Sequence, residues 1–265
     1  MKVAELGATR SSLTVVVPTS DFGGKWLRQC IKSIRRSPGC EVGIVAVESS
    51  GSRFNFALSV NEGIARAAGD VLVLNDDASL AVGTLDALSR ARERYGEGIY
   101  QTYVHCTDGT PHDIGWSFDS GMTAFLKTAV ASLMYTGRGP ARRAALRALA
   151  MTNVYPFTYH KSPTDGFDGF SFNATMITGG ALRTLGRLDE GFPLGYDDID
   201  YSLRCHLAGV PYYCVPRAVV YHVLNGSRKG GDPRELPSYQ RLRSKWPRSL
   251  LLKTLEKGPK GRVIW

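Results

Sequence analysis

The sequence has little of what secreted, membrane-spanning or metal-stapled proteins depend on. No apolar run approaches the roughly 20 residues that cross a bilayer, and the chain does not open with a charged start, an apolar run and a small-residue cleavage site. Its five cysteines form no CxxC pair, so we expect buried reduced thiols rather than a disulfide framework or a zinc site. These absences predict an intracellular, cytoplasmic protein.

Two phosphate-binding loop motifs are missing as well. The chain contains neither GxGxxG nor GxxxxGK(S/T), and their absence argues against dinucleotide and P-loop chemistry. What the chain does have is length and apolar content. Its 265 residues, 43% of them hydrophobic, are enough for one large α/β domain or two small ones with a sizeable core.

Apolar runs and helical spacings alternate along the chain. Strands are predicted at Leu13–Ser20, Glu41–Val47, Val71–Leu74, Ile99–Val104, Phe172–Thr178, Pro211–Val215 and Ala218–Tyr221, and helices at Trp26–Ile34, Asn55–Ala68 and Val82–Tyr95. The β-α-β alternation of the first half is typical of an open, Rossmann-like, mostly parallel sheet flanked by helices. The fold class predicted from the residues is therefore α/β.

The stretch VLVLNDDAS, Val71–Ser79, joins a buried strand to a polar turn. A strand covered on both faces reads as a continuous apolar run. Because an unpaired buried carboxylate is costly, Asp76 and Asp77 are expected at the strand's carboxyl end, where α/β folds bind ligands. Carboxylate oxygens there suit a hard divalent cation that bridges to a phosphate-bearing substrate. The same pair also suits a simple turn and helix cap.

A second acidic cluster opens the helix predicted from YDDIDYSLRCHLAG. Asp197, Asp198 and Asp200 fall in its first turn, where carboxylates satisfy free amides and complement the helix dipole. The same position keeps a carboxylate ionised, as a general base requires, so capping and catalysis both remain open. His222, which closes a predicted strand, is likewise open to a structural or a catalytic role.

Residues 107–168 depart from the regular pattern. Gly, Pro, His and aromatic residues interrupt this segment, and Ala129–Met151 forms a basic helical piece within it. A long irregular insertion in a compact domain is usually a binding loop or lid. We therefore expect it to face the acceptor, with Trp116 among the contacting residues.

Residues 226–265 form a basic extension. After His222 the chain has eleven Lys and Arg against three Asp and Glu, a charge that attracts phosphates or an anionic membrane surface or that merely keeps the chain soluble. Leu250, Leu251 and Leu255 allow a surface-lying amphipathic helix. The predicted domain division is thus 1–225, including the insertion, and 226–265.

Six motifs in this sequence occur together in one known family. They are VVVPT, VESSGS, NEGIARAAGDVLVLNDDA, TGGALRTLGRLDEGF, YDDIDYSLRCHLAG and VPRAVVYH. In order and approximate spacing they resemble the family 2 glycosyltransferases, inverting enzymes with a GT-A fold, and most closely the rhamnosyltransferase-like branch. The resemblance covers about residues 13–222 apart from the insertion. It implies a nucleoside diphosphate sugar donor, a divalent metal (Mn²⁺ or Mg²⁺) and hexosyltransferase-type transfer to an acceptor hydroxyl.

The resemblance also implies roles for individual residues. Asp77 is implied as a metal ligand, and His222 as the residue that completes the metal site. Asp198 is implied as the general base, with Asp197 beside the acceptor. The donor-binding positions it implies are Pro18, Thr19, Glu48, Asn61, Asn75, Asp76, Gly179 and Gly180. Asn75 stands where the family has the first Asp of its DxD-like motif, and Ser49 replaces its frequent Asp or Asn, which leaves the nucleotide base open.

The partners expected on this reading are a UDP-, GDP- or dTDP-type sugar donor and a saccharide, lipid-linked or protein acceptor, without nucleic acid. The basic extension adds an expected peripheral contact with the inner membrane face. Two alternatives stay open. One is a sugar-phosphate nucleotidyltransferase, although TSDFGGKW matches its Gly-rich, Arg- and Lys-bearing loop poorly. The other is a non-catalytic nucleic-acid or membrane-surface binding protein on the same fold.

Overall fold

A computed structural model of the chain describes residues 1–7, 11–37, 41–51, 54–119, 157–223 and 235–265, together with 122–123, 125–127, 129–130 and 139–140. The arginines of the predicted basic helical piece, at positions 138, 142, 143 and 147, lie outside the described residues. Within the described part, no helix is both long and apolar enough to span a membrane.

The strands are β1 Lys2–Gly7, β2 Leu13–Thr19, β3 Gly43–Glu48, β4 Asp70–Leu74, β5 Ala78–Leu80, β6 Ile99–Cys106, β7 Pro111–Asp113, β8 Trp116–Phe118, β9 Phe157–Tyr159, β10 Ala174–Ile177, β11 Tyr212–His222 and β12 Arg262–Val263. The helices are α1 Lys25–Arg35, α2 Phe56–Ile64, α3 Thr84–Tyr95, α4 Gly179–Leu185, α5 Asp197–Ala208, α6 Glu235–Lys245 and α7 Arg248–Lys257.

The central sheet has the strand order β1-β3-β2-β4-β10-β6-β11-β12. β2 pairs in parallel with β3 and β4, and β6 pairs in parallel with β11. β10 lies between β4 and β6 and is antiparallel to both. The prediction of a mostly parallel sheet flanked by helices is confirmed. We call the end of the sheet at which β2, β3 and β4 finish the carboxyl edge, and the end at which they start the opposite edge. Neither term refers to the border strands β1 and β12.

Two strands differ from the sequence prediction. β1, which is not among the predicted strands, pairs antiparallel with β3 at the border of the sheet. β11 is one strand rather than two, because the chain continues through a bulge between Val215 and Val219. Pro216 lies in that bulge, where its missing N–H removes no ladder hydrogen bond.

The sheet separates two apolar cores. Val15 and Val17 of β2 face the core that α1 and α3 cover, while Val16 faces the core under α2 and α5. This alternation follows from the two-residue period of a strand. α2 approaches Val16 closely at Gly63, where a Cβ atom would come within 2.3 Å of the valine side chain.

A third core holds α6 and α7 against the rest of the domain. Leu251 and Leu255 of α7 and Trp246 pack with Leu203 of α5, and β12 pairs in parallel with β11. The described part of the predicted basic extension is therefore integrated into the body of the protein, across the predicted division at residue 225. The amphipathic pattern of α7 serves this packing.

Trp116 belongs to the same third core. Its side chain is fully buried, and its indole Nε1 donates a hydrogen bond to the Phe170 carbonyl at 3.0 Å. The predicted acceptor contact through Trp116 is wrong. The sequence could not reveal this, because the helices that help to form its core, α6 and α7, lie more than a hundred positions further along the chain.

Candidate functional site

The turn after β4 places Asn75, Asp76 and Asp77 at the carboxyl edge. The Thr19 hydroxyl, at the end of the adjacent strand β2, donates a 2.6 Å hydrogen bond to Asp76 Oδ2. Burial, together with the neighbouring Asp77, raises the pKa of Asp76 against the effect of that bond. Two adjacent carboxylates are thus held at the strand ends, as predicted from the apolar run that precedes them.

Asp77 meets His222 across the sheet. Pairing of β5 with β11 sets His222 opposite Ala78, and His222 Nε2 lies 3.0 Å from Asp77 Oδ1. Asp77 is only 5% exposed. The buried Nδ1 of His222 has no hydrogen-bond partner among the described residues, and the His112 ring stacks on His222 with a 6.0 Å centroid separation. The structure therefore brings together the two predicted metal ligands.

A cavity of about 210 Å³ lies beside Asp77. It is bounded by Trp26 and Gln29 of α1, by Ser79, by Thr107, and by Tyr221 at the end of β11. Aromatic, hydroxyl and amide groups thus surround one side of the carboxylate, so the site has open volume next to its acidic turn.

Glu48 ends β3 next to Thr19, which ends β2. Its carboxylate accepts a 3.0 Å hydrogen bond from the Phe22 N–H and lies 3.3 Å from Lys2 Nζ. The Phe22 hydrogen bond and Lys2 lower the pKa of Glu48. Pro18 pairs with Val47 one residue earlier. The predicted contacts Pro18, Thr19 and Glu48 therefore line one stretch of the carboxyl edge.

A buried polar network that the sequence did not indicate supports Asn75. Asn75 donates from its backbone N–H to the Asn173 carbonyl (3.1 Å) and from Nδ2 to Asn173 Oδ1 (3.2 Å). Asn173 Nδ2 in turn donates to Asp113 at 3.1 Å. Asp113 is 1% exposed and also accepts from the Gly115 N–H at 2.9 Å and from Ser171. The antiparallel direction of β10 brings these residues together, and periodicity does not encode that direction.

The first turn of α5 lies at the same edge of the sheet. α2 follows β3 and so begins at the carboxyl edge, and its first residue, Phe56, donates from N–H to the Pro193 carbonyl at 2.9 Å. β11, which follows α5, begins with Tyr212 paired to Ile99, at the opposite edge of the sheet. α5 therefore runs from the carboxyl edge to the opposite edge. The rings of Tyr201 in α5 and Phe172, two residues before β10, lie 5.5 Å apart between centroids. α5 is thereby linked to the start of β10, the neighbour of β4. Both acidic clusters therefore reach one edge of the sheet.

The three aspartates of that turn have different surroundings. Asp198 is partly exposed, and its Oδ1 accepts the Ile199 N–H at 2.8 Å. Asp197 is buried, and its predicted acceptor contact stays a prediction. Asp200 is fully buried and is held by Trp246 and Lys245. The helix dipole favours the ionised form of carboxylates in this turn.

Gly179 and Gly180 are not in the cleft. They begin α4, where the Gly179 N–H donates to Asp70 Oδ1 at 2.8 Å and the Gly180 N–H to Glu97 Oε2 at 2.7 Å. Because β10 is antiparallel to β4, its end meets the start of β4 at the opposite edge. The prediction that both glycines line the donor site is therefore wrong.

Asn61 anchors a loop. It is 2% exposed, its Nδ2 donates to the Leu188 carbonyl and to Glu190 Oε1 at 2.9 Å, and its Oδ1 accepts the Leu188 N–H at 2.8 Å. These contacts fix α2 to the loop that leads into α5. They indicate a structural role, which differs from the predicted donor contact.

No model of a known protein family matches the chain, and no curated protein sequence matches it. Solved structures do. GalNAc-T7 with UDP, GalNAc and Mn²⁺ superposes with a TM-score of 0.58 at 13% identity over 91% of this chain. The chain spans about half of that protein, 49% of its length. S. aureus TarS gives a TM-score of 0.48 at 10% identity, covering 81% of this chain and 61% of the other. The similarity to GalNAc-T7 supports the GT-A type of α/β fold.

Proposed function

We propose that this chain is a metal-dependent inverting glycosyltransferase of the family 2 type, close to its rhamnosyltransferase-like branch. It would move a hexosyl group from a nucleoside diphosphate sugar to an acceptor hydroxyl. The observation that carries the proposal is that the acidic turn, with His222 beside it, and the first turn of α5 both lie at the carboxyl edge of the sheet. An inverting transferase needs a diphosphate-binding group and a base in one cleft.

The residues at the acidic turn fit a divalent cation. Asp77 and His222 would hold it, since Asp77 Oδ1 and His222 Nε2 lie 3.0 Å apart and present a carboxylate oxygen and a ring nitrogen side by side. Within the described residues no three His, Cys, Asp or Glu side chains are grouped as metal ligands. Mg²⁺ sites commonly use one or two carboxylates together with substrate phosphates and water. A bound cation would offset negative charge on the diphosphate.

The donor would lie along the ends of β2, β3 and β4. Thr19 and Glu48 flank its nucleotide, and Asn75 and Asp76 contact its diphosphate or sugar. The GalNAc-T7 structure of the same fold contains UDP and Mn²⁺, which supports a nucleotide-sugar donor here. UDP-, GDP- and dTDP-sugars are all included in the proposal, because Ser49 leaves the base contact open.

Asp198 would act as the general base. It is partly exposed at the carboxyl edge and in a helix first turn that keeps carboxylates ionised. It would accept the proton of the acceptor hydroxyl while that oxygen attacks the anomeric carbon on the face opposite the departing diphosphate. The bond to the diphosphate breaks as the new glycosidic bond forms, so the anomeric configuration inverts.

A thermal-shift panel of UDP-, GDP- and dTDP-sugars with and without Mn²⁺ tests the proposal. A donor present at a hundred times its Kd stabilises the native state by about 2.7 kcal/mol, which raises the Tm of a chain of this size by about 5 °C or more. We expect one nucleotide class to produce this shift in the presence of Mn²⁺. The anomeric configuration of the product, read by NMR, then tests inversion. If no donor raises the Tm with or without metal, the proposal is wrong.

A further inference from the structure

Helix α6 lies along the segment that presents the second acidic cluster. It contacts this segment, Asp189–Asp200, at both ends and in the middle. α6 itself belongs to the third core, where Tyr239 and Leu242 are buried against Phe192 and Ile199. The helix is therefore fixed to the body of the protein and able to fix the segment in turn.

At the first end, α6 holds Asp189. Arg241 donates to both carboxylate oxygens, with nitrogen–oxygen distances of 2.8 to 3.1 Å, and Lys245 Nζ lies 2.8 Å from Oδ2. Burial works against ionisation of Asp189, but the Arg241 and Lys245 hydrogen bonds outweigh it and hold its pKa well below its usual range. A bidentate guanidinium contact of this kind fixes geometry as well as charge.

At the second end, α6 holds Asp200. Lys245 Nζ also lies 2.7 Å from Asp200 Oδ1, which accepts a 2.8 Å hydrogen bond from the indole N–H of Trp246, the residue after α6. Arg204 pairs with the other oxygen at 3.2 Å. Asp200 is fully buried, and removal of the partners of a buried carboxylate strongly destabilises the folded protein. One lysine thus joins both ends of the segment.

Between these ends, α6 supports a strained residue. Tyr196 has a φ of 64° and is the one residue other than glycine with positive φ in the described part of the chain. Its ring lies 5.9 Å from that of Tyr239, and the Leu194 N–H donates to Ser238 Oγ at 3.2 Å. Backbone strain persists only where the surroundings over-determine it, and it concentrates at functional sites. Asp197 and Asp198 follow Tyr196 directly.

We infer that α6 and Trp246 are a positioning element that sets the orientation of Asp198 through Asp189, Tyr196 and Asp200. The inference rests on the proposed function, in which Asp198 is the base. It gives two basic residues of the C-terminal region, Arg241 and Lys245, a role in turnover, with Lys245 as the positioning residue that joins the two ends.

Lys245→Met, which removes the shared cation, tests this inference. We expect kcat to fall about tenfold, because small displacements of a reacting group cost rate steeply. The Kd of the donor with Mn²⁺ should stay within about twofold of wild type, since Asp189 and Asp200, the carboxylates that Lys245 holds, are not among the proposed donor-binding residues. Lys253→Met, on the exposed side of α7, is the matched control and should retain wild-type kcat. Trp246→Phe removes the indole N–H together with the five-membered ring and should lower kcat in the same way.

A double variant separates positioning from general structural damage. If Lys245 acts through Asp198, Lys245→Met should cause no further loss of kcat in an Asp198→Asn background, because the two changes affect one unit. Unchanged kcat in Lys245→Met and Trp246→Phe, or a full tenfold further loss in the double variant, would overturn the inference while the proposed function stands. Absence of turnover by the wild-type protein with every donor would overturn both.

Discussion

Both edges of the central sheet have acidic side chains, but the surroundings of these side chains differ between the opposite edge and the turn after β4. At the opposite edge, Asp70 and Glu97 each accept a 3.0 Å hydrogen bond from Arg92. Asp70 also accepts from the Gly179 N–H, and Glu97 from the Gly180 N–H, at the start of α4. Hydrogen bonds from Thr178 and Gly180 and the charge of Arg92 lower the pKa of Glu97. At the carboxyl edge, burial and the adjacent Asp77 raise the pKa of Asp76.

This difference distinguishes carboxylates that stabilise the folded protein from carboxylates that are available to a ligand. A carboxylate whose pKa is lowered by internal partners stabilises the folded state. Asp76, whose pKa is raised by burial and by the adjacent Asp77, gains from a positively charged ligand instead. Removing Asp76 or Asp77 should therefore cost function, whereas removing Asp70 or Glu97 should cost stability.

The largest effect is expected from Asp198→Asn at the carboxyl edge. An amide cannot accept the acceptor proton, so kcat should fall about 10²- to 10⁴-fold, while the donor Kd with Mn²⁺ changes little. Turnover with a working donor and acceptor pair, and calorimetry of donor binding, measure the two quantities. Asp86→Asn, on the exposed side of α3, is the control and should keep wild-type turnover. Substantial turnover by Asp198→Asn would remove Asp198 as the base.

A matched pair of substitutions on β4 compares the two edges directly. Asp77→Asn, just after the strand, should raise the donor Kd in the presence of Mn²⁺ at least about tenfold, as loss of metal-site groups does, and should abolish the Mn²⁺ dependence. Asp70→Asn, at the start of the same strand, should leave the donor Kd unchanged and lower the free energy of unfolding by about 0.5 to 1 kcal/mol. Calorimetry and urea unfolding of both variants check this, and equal effects on donor binding would contradict the distinction between the edges.

The sequence was sufficient where local periodicity decides structure. Val71–Leu74 predicted both a buried strand and the exit of Asp76 and Asp77 at its end, and the YDDID motif predicted three carboxylates in a helix first turn. These features depend on residues within one or two turns of each other. They were therefore visible without knowledge of pairing.

The sequence was insufficient where strand direction and distant packing decide. The four residues of β10 have no signal for antiparallel pairing, so Gly179 was assigned to the wrong edge and Asn173 was not assigned to the site. Trp116 was predicted to contact the acceptor, because its core partners lie far along the chain in α6 and α7. The role of Trp246 was hidden for the same reason.

The smallest effect is expected from Glu97→Gln at the opposite edge. Its folded pKa is lowered, so its contribution to stability is present above the unfolded value of about 4.3 and is lost as pH falls through the lower folded pKa. The Glu97 side chain is 49% exposed, and solvent screening limits the effect at pH 7 to a few tenths of a kcal/mol. Urea unfolding of wild type and variant at pH 7 and pH 3 should show a larger difference at pH 7 than at pH 3.

Glu256→Gln, an exposed change on α7, controls for the loss of one negative charge and should unfold like wild type at both pH values. A stability difference for Glu97→Gln that is as large at pH 3 as at pH 7 would mean that the carboxylate is not the source. A weaker donor Kd in the same variant would be more serious. Glu97 binds the Gly180 N–H, so such a result would return the start of α4 to the donor site and remove the physical distinction between the two edges.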